Sequence, residues 1–120
     1  MLLALDTEFM RVNTFNPQTA LIQLNIDQAI YLIDPVALDT GGLGPVLANS
    51  ASLKVLHACS EDIEVLYHQY PDHRITNIFD TQVGLAFLGQ GLQVGYQKAL
   101  KECLNIEIDK GATRSDWLAR

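Results

Sequence analysis

Apolar positions in the first third of the chain run in short stretches bounded by polar turn residues. Over the remainder they recur at helical spacing between two further short apolar runs. Residues 2–9 form an apolar run that predicts a strand beginning almost at the first residue, and residues 19–26 and 29–34 predict two more. Asn25 to Gln28, with Asp27 among them, predict a hairpin turn, and Pro35 ends the third strand because it offers no ladder donor. These three segments predict an antiparallel meander. Gly41-Gly42 then breaks the chain, and residues 43–48 predict a short helix with Leu43, Val46 and Leu47 on one side. Residues 53–57 predict a fourth strand. Ser60 is placed to cap the helix that follows, with Glu61 and Asp62 in its first turn and Ile63, Leu66, Tyr67 and Tyr70 as its buried stripe; Pro71-Asp72 stops it. Residues 77–79 predict a short fifth strand, and Asp80 or Thr81 caps a helix reaching Leu88, closed by Gly89 and Gly91. Leu92, Tyr96, Ala99, Leu100 and Cys103 predict a last helix over 92–104. Residues 105–120 carry little periodicity, although Trp117-Leu118-Ala119 is apolar and calls for a packing partner. Strands first, then alternating strands and helices, predict an α/β mixed sheet with helices packed on it.

Composition narrows this picture. The chain has 120 residues, 48% hydrophobic and 18% charged, which fits one folded domain with one core. Its 8 basic and 14 acidic residues leave a net charge of -6, which argues against a basic surface that coats nucleic acid. A nuclease remains compatible, because a site that holds phosphates through metal ions needs acids. Cys59 and Cys103 form neither a disulfide framework nor a zinc-spaced set, so a reducing, cytoplasmic setting is expected. The start carries no basic region of a secretory leader, and no run approaches the roughly 20 apolar residues of a membrane span.

The candidate chemistry begins at Asp6-Thr7-Glu8. Side chains at i and i+2 of a strand share a face, so Asp6 and Glu8 project together where an apolar strand meets solvent. A hard divalent cation such as Mg²⁺ or Mn²⁺ would compensate the pair; two solvated acids at a strand end are the plain alternative. Asp62 lies early in a helix after a strand, at the sheet edge where crevices form, and joins the pair if that strand neighbours the first. Otherwise Glu61 and Asp62 simply favour the helix dipole. Asp80 has the same two readings, helix cap or member of the site. His57 reads as a catalytic base or, more simply, as a strand-end residue satisfied by local hydrogen bonds. Tyr31, Tyr67, Tyr70 and Trp117 read as packing residues.

The phrases Ala4-Leu5-Asp6-Thr7-Glu8-Phe9, Thr19-Ala20-Leu21-Ile22-Gln23-Leu24 with Leu32-Ile33-Asp34-Pro35, Lys54-Val55-Leu56-His57-Ala58-Cys59-Ser60-Glu61-Asp62-Ile63, Phe79-Asp80-Thr81-Gln82 and Arg114-Ser115-Asp116-Trp117-Leu118-Ala119-Arg120 together resemble ribonuclease D. That family belongs to the DEDD superfamily of 3′-5′ exonucleases, with a ribonuclease H-like fold. The resemblance runs end to end and implies a sheet of an antiparallel three-strand meander plus parallel strands, flanked by helices. It implies Asp6, Glu8 and Asp62 as catalytic residues and as ligands of two Mg²⁺ or Mn²⁺ ions about 4 Å apart across the terminal phosphodiester. Asp80 is implied near the site, behind the ligands. Phe9 is a candidate to stack on a terminal base or to sit at the edge of the core, and Gln23 to hydrogen-bond near the site or to face a polar sheet edge. Lys110, Arg114 and Arg11 are candidates to touch backbone phosphates or, for Lys110 and Arg114, to lie in a solvated loop. The implied reaction releases nucleoside 5′-monophosphates from an RNA 3′ end, with transfer RNA precursors as the family's typical substrate. The family's third motif, Tyr-x-x-x-Asp, has no counterpart here, nor do the helix before the first strand and the helical nucleic-acid-binding domains. Residues 1–120 are therefore expected to be a partial exonuclease domain, incomplete at its C-terminal end and weak or inactive alone. The alternative is a catalytically impaired remnant serving as a nucleic-acid-binding or protein-interaction module, self-associating through the face left bare. A DNA-directed proofreading exonuclease shares the fold and the acids, but the H-x-x-S-E-D-I and D-W-L-A-R phrases favour the RNA family.

Overall fold

The computed structural model describes residues 1–13, 15–109 and 115–120. Its centre is a five-stranded sheet in the order β3-β2-β1-β4-β5. β1 (Leu2–Met10) pairs antiparallel with β2 (Gln18–Ile26), which pairs antiparallel with β3 (Ala29–Ile33). The meander closes at Asp27-Gln28, both at positive φ (50° and 69°), the hand that a two-residue hairpin loop needs to match strand twist. β4 (Leu53–Leu56) runs parallel to β1 and to β5 (Ile78–Asp80). The expected mixed, open sheet is present.

Alternation along β1 sorts the two faces. Leu3, Leu5 and Thr7 point into the core, and Ala4, Asp6 and Glu8 take the other side. The core face joins Leu5 to Ile22 and Leu24 of β2, Leu56 of β4, Leu47 of α1 (Leu43–Ala48), Leu66 of α2 (Ser60–Gln69), and Tyr70 and Ile75. Lys54 also lies on this face, fully buried, its ammonium donating to the carbonyls of Asn49 (2.5 Å) and Ser52 (2.9 Å) at the turn between α1 and β4. Burial without a carboxylate partner holds its pKa below the ordinary lysine value.

Several expected details differ. The buried stripe of α2 runs through Asp62, Val65 and Leu66, with Tyr70 just beyond; Tyr67 is exposed. Ser60 is the first residue of α2 rather than its cap, and Cys59 in the cap position makes no side-chain cap bond. Asp80 caps α3 (Thr81–Phe87), as one of the two sequence readings required. α4 spans Tyr96–Leu104, shorter than the expected 92–104. Gly91 at φ 128° and extended Gly95 interrupt the helical pattern, Leu92 is exposed, and Val94 turns inward instead. Tyr31 is half-exposed on the edge strand and not a packing residue. Among the described residues no helix is long and apolar enough to cross a membrane.

Leu47 is fully enclosed and Leu104 is 63% exposed. Leu47→Ala should destabilise the fold by about 2–5 kcal/mol, whereas Leu104→Ala should stay within about 0.5 kcal/mol. Urea denaturation of the two variants checks the contrast.

Candidate active site

β1 and β4 pair over only three positions, Leu2 with Leu53 through Ala4 with Val55. Beyond Ala4 the two parallel strands part, and a crevice opens at their C-terminal ends where the strand order reverses. Thr7 lies on the β1 side of that opening. Its backbone N–H donates to Oδ1 of Asp62 at 3.1 Å, and its hydroxyl donates to the same oxygen at 2.6 Å. Two donors from one residue thus hold the α2 carboxylate against the central strand, across 55 positions of sequence. Nothing in the spacing signalled this role for Thr7. The available hint was its place between two acids of a strand, which turns it toward the helix-covered face.

Asp6 and Glu8 sit on the opposite face of β1. Asp6 faces Gln23 in register, and the Gln23 amide donates to Asp6 Oδ2 at 3.3 Å. Immediately after Glu8 the register slips: Glu8 faces Leu21 and Phe9 faces Thr19, leaving Ala20 as an extra residue in β2. Such a bulge re-aims side chains at the end of a strand pair. Phe9, beside it, is half-buried.

The three carboxylates share one electrostatic neighbourhood. The pKa of Asp6 is raised, chiefly by burial, with the Thr7 N–H opposing. Glu8 is raised by burial and by the charges of Asp6 and Asp62. Asp62 is raised by burial and then by the Asp6 charge, against the pull of the Thr7 hydroxyl and amide. Among the described residues none of the three forms an ion pair. They also stop short of a finished cage: no three His, Cys, Asp or Glu side chains among the described residues converge closely enough to enclose a cation. The donors are hard oxygens carrying uncompensated negative charge, which suits Mg²⁺ or Mn²⁺ in chemistry, while the geometry is open.

Around this group the other candidates separate. Arg11 is engaged with Glu64 of α2 at 2.9 Å and with the Phe15 carbonyl, so it ties β1 to α2 rather than standing free for a phosphate. Lys110 and Arg114 lie outside the described residues. His57 is satisfied locally, Nδ1 on the Thr81 hydroxyl at 2.8 Å and Nε2 on the Val94 carbonyl at 2.7 Å. Nε2 therefore carries a proton, because a carbonyl only accepts. With Ala4, Asp6, Gln23, Ile30 and Tyr96, His57 lines a cleft of about 510 Å³ on the Asp6 face of the sheet.

Raised carboxylate pKa values mean that the native state holds more protons than the unfolded chain at pH just above the ordinary range, so stability falls as pH rises through that window. Asp6→Asn removes one desolvated charge and the repulsion it exerts on its neighbours. Its melting temperature should exceed that of the parent at pH 7, and the gain should vanish below the ordinary aspartate value of 3.8. Thermal melts of both proteins across pH 3 to 8 check the sign.

Comparison with known proteins gives this geometry a context. The 3′-5′ exonuclease family profile matches residues 2–120. Ribonuclease D of Haemophilus influenzae is 47% identical over 118 residues, covering 98% of this chain and 29% of that protein. Ribonuclease D of Pseudomonas paraeruginosa is 46% identical over 119 residues, covering 98% of this chain and 31% of that protein. The crystal structure of Escherichia coli RNase D superposes with a TM-score of 0.92 at 38% identity, over 99% of this chain and 32% of that one. The chain thus spans about a third of the length of these relatives. The profile covers nearly the whole chain and the fold matches that of the relatives, so the chain belongs to the 3′-5′ exonuclease family.

Proposed function

We propose that this chain is part of the catalytic domain of a metal-dependent 3′-5′ exoribonuclease that hydrolyses the last phosphodiester at an RNA 3′ end and releases nucleoside 5′-monophosphates. The observation that supports the reading is the electrostatic coupling of Asp6, Glu8 and Asp62 near the parting of β1 and β4, with raised pKa values and no cationic partner among the described residues. The Escherichia coli relative is described as an exoribonuclease involved in structured RNA processing, which supports RNA over DNA and is compatible with transfer RNA precursors as substrate.

Asp6, Glu8 and Asp62 would hold two divalent ions, which when bound supply charge neutralisation at the phosphate and a water acidic enough to attack it. Asp6, whose charge acts on both Glu8 and Asp62, would be a shared ligand of the group. Glu8, on the same face two residues on, would orient the attacking water. Asp62, fixed by Thr7, would hold the leaving-oxygen side. Gln23 steadies Asp6 through its amide. Phe9, beside the bulge, would stack on the terminal base. Because the three acids do not close a cage by themselves, a further ligand from elsewhere in the relatives' length would complete it, and this chain alone would turn over slowly.

A second reading rests on exposed apolar surface. Ile30 and Leu32 on β3, Phe87 at the end of α3 and Leu92 are 66–89% exposed. Exposed apolar side chains of this kind favour association with a partner or a second copy.

Calorimetric titration of the chain with Mn²⁺ should show submillimolar binding that disappears in Asp6→Ala; binding that survives in the variant overturns the assignment. A 3′-labelled RNA should release mononucleotides slowly and only with Mg²⁺ or Mn²⁺, faster than matched DNA. For the second reading, Ile30→Lys with Leu32→Lys should shift sedimentation toward monomer, and an unchanged profile removes these side chains from any interface.

A further inference from the structure

Asp80 spends both carboxylate oxygens on backbone N–H groups of two separate elements. Oδ1 accepts from Gln82 (2.8 Å) and Val83 (3.4 Å) in the first turn of α3, and also from Ala58 at 3.0 Å. Oδ2 accepts from Cys59 at 2.9 Å. The second set matters because α2 lacks a side-chain cap of its own, and because Ala58 stands at φ 55°. That left-handed conformation is unfavourable for a residue with a Cβ and persists only where its surroundings hold it. The two side chains after Asp80 fasten the same corner. The Thr81 hydroxyl reaches the Leu56 carbonyl (3.1 Å) and His57 Nδ1, and the Gln82 amide donates to the Val94 carbonyl at 3.2 Å. Four bonds from β5 and α3 therefore converge on residues 56–59, the stretch between β4 and α2.

We propose that Asp80, assisted by Thr81, is a positioning residue for Asp62: by holding the left-handed turn at Ala58-Cys59 it sets where α2 begins, and hence brings the Asp62 carboxylate onto the Thr7 amide and hydroxyl. Asp62 follows Cys59 by less than one helical turn, so a rotation or slip of the first turn moves its oxygens directly. Capping of α3 is then only half of what Asp80 does; the other half acts 21 and 22 residues upstream. The inference rests on the preceding reading only in treating Asp62 as a cation ligand.

Asp80→Ser separates the two halves. Serine is a good N-cap for α3, but its shorter side chain cannot also span to Ala58 and Cys59. Amide hydrogen exchange by NMR should show Gln82 still protected, while Cys59 and Thr7 exchange faster relative to the β2 ladder. Mn²⁺ affinity should fall by about tenfold or more, as for loss of a group that orients a metal ligand. Asp80→Asn, which keeps one carbonyl oxygen, should recover part of both, and it serves in place of serine if that variant does not fold. Faster exchange at Cys59 with Thr7 protection and Mn²⁺ affinity unchanged overturns the proposal. Asp62→Asn run alongside separates the two ideas: if it leaves Mn²⁺ affinity intact, Asp62 is not a ligand, and Thr7 exchange alone then decides whether Asp80 positions it.

Discussion

The bond pair from Thr7 to Asp62 answers a problem that the sheet creates for itself. A central strand between an antiparallel and a parallel neighbour has both edges committed, yet β4 accompanies β1 for only three positions. Past that point the inner edge of β1 would offer an amide to a crevice too enclosed for free hydration. An unmatched buried donor costs about 1–3 kcal/mol, so the opening needs an acceptor. Asp62 provides it from α2, and in doing so joins the helix to the strand at the one place where strand pairing has stopped. The contact ties α2 to the sheet and brings the Asp62 charge within reach of Asp6 and Glu8.

That coincidence carries an electrostatic penalty in the absence of a cation. Burial and mutual repulsion raise the pKa values of Asp6, Glu8 and Asp62. Asp80 shows the opposite balance a short distance away: burial alone would raise its pKa, but the N–H groups of Cys59, Ala58 and Gln82 overcome that and bring it below the ordinary value. One carboxylate is thus fully satisfied by the backbone, and three are left partly unsatisfied. The Cys59 thiol beside Asp80 is pushed up to about 11, by burial first and then by the Asp80 carboxylate, so it is largely protonated at neutral pH.

Much of this was legible beforehand. Short apolar runs with turn residues between them located all five strands, because period-two burial and hairpin chemistry are local properties. The facing of Asp6 and Glu8 followed from the same alternation. What escaped was set by contacts across the chain. Nothing local in the sequence shows that the neighbouring turn brings two carbonyls to the ammonium of Lys54. Leu92 and Tyr67 carry apolar side chains at helical spacing, but Gly91 and Gly95 cut the first from its helix and the second lies on the exposed side of α2, off the Asp62-Val65-Leu66 stripe. Ser60 has the composition of a cap, but the helix begins on it, and the N–H groups of Ala58 and Cys59 just before it are taken by Asp80, which propensity cannot foresee. Thr7 was overlooked for the same reason: its partner is 55 residues away.

The placement of these acids also bears on how the site can form. Asp6 and Glu8 arrive with β1, Asp62 with α2, and the brace on α2 comes from the end of β5. No local segment contains enough of the group to assemble it in an unfolded chain. Convergence therefore waits on the parallel pairing of β1 with β4 and of β4 with β5, the contacts of greatest sequence separation in the sheet. A cation that prefers the gathered acids then stabilises the packed sheet, because any ligand that binds only the native arrangement shifts the folding equilibrium toward it. Mutual repulsion raises the cost of bringing Asp6, Glu8 and Asp62 together, so a positive charge bound among them would favour the packed arrangement over a looser one.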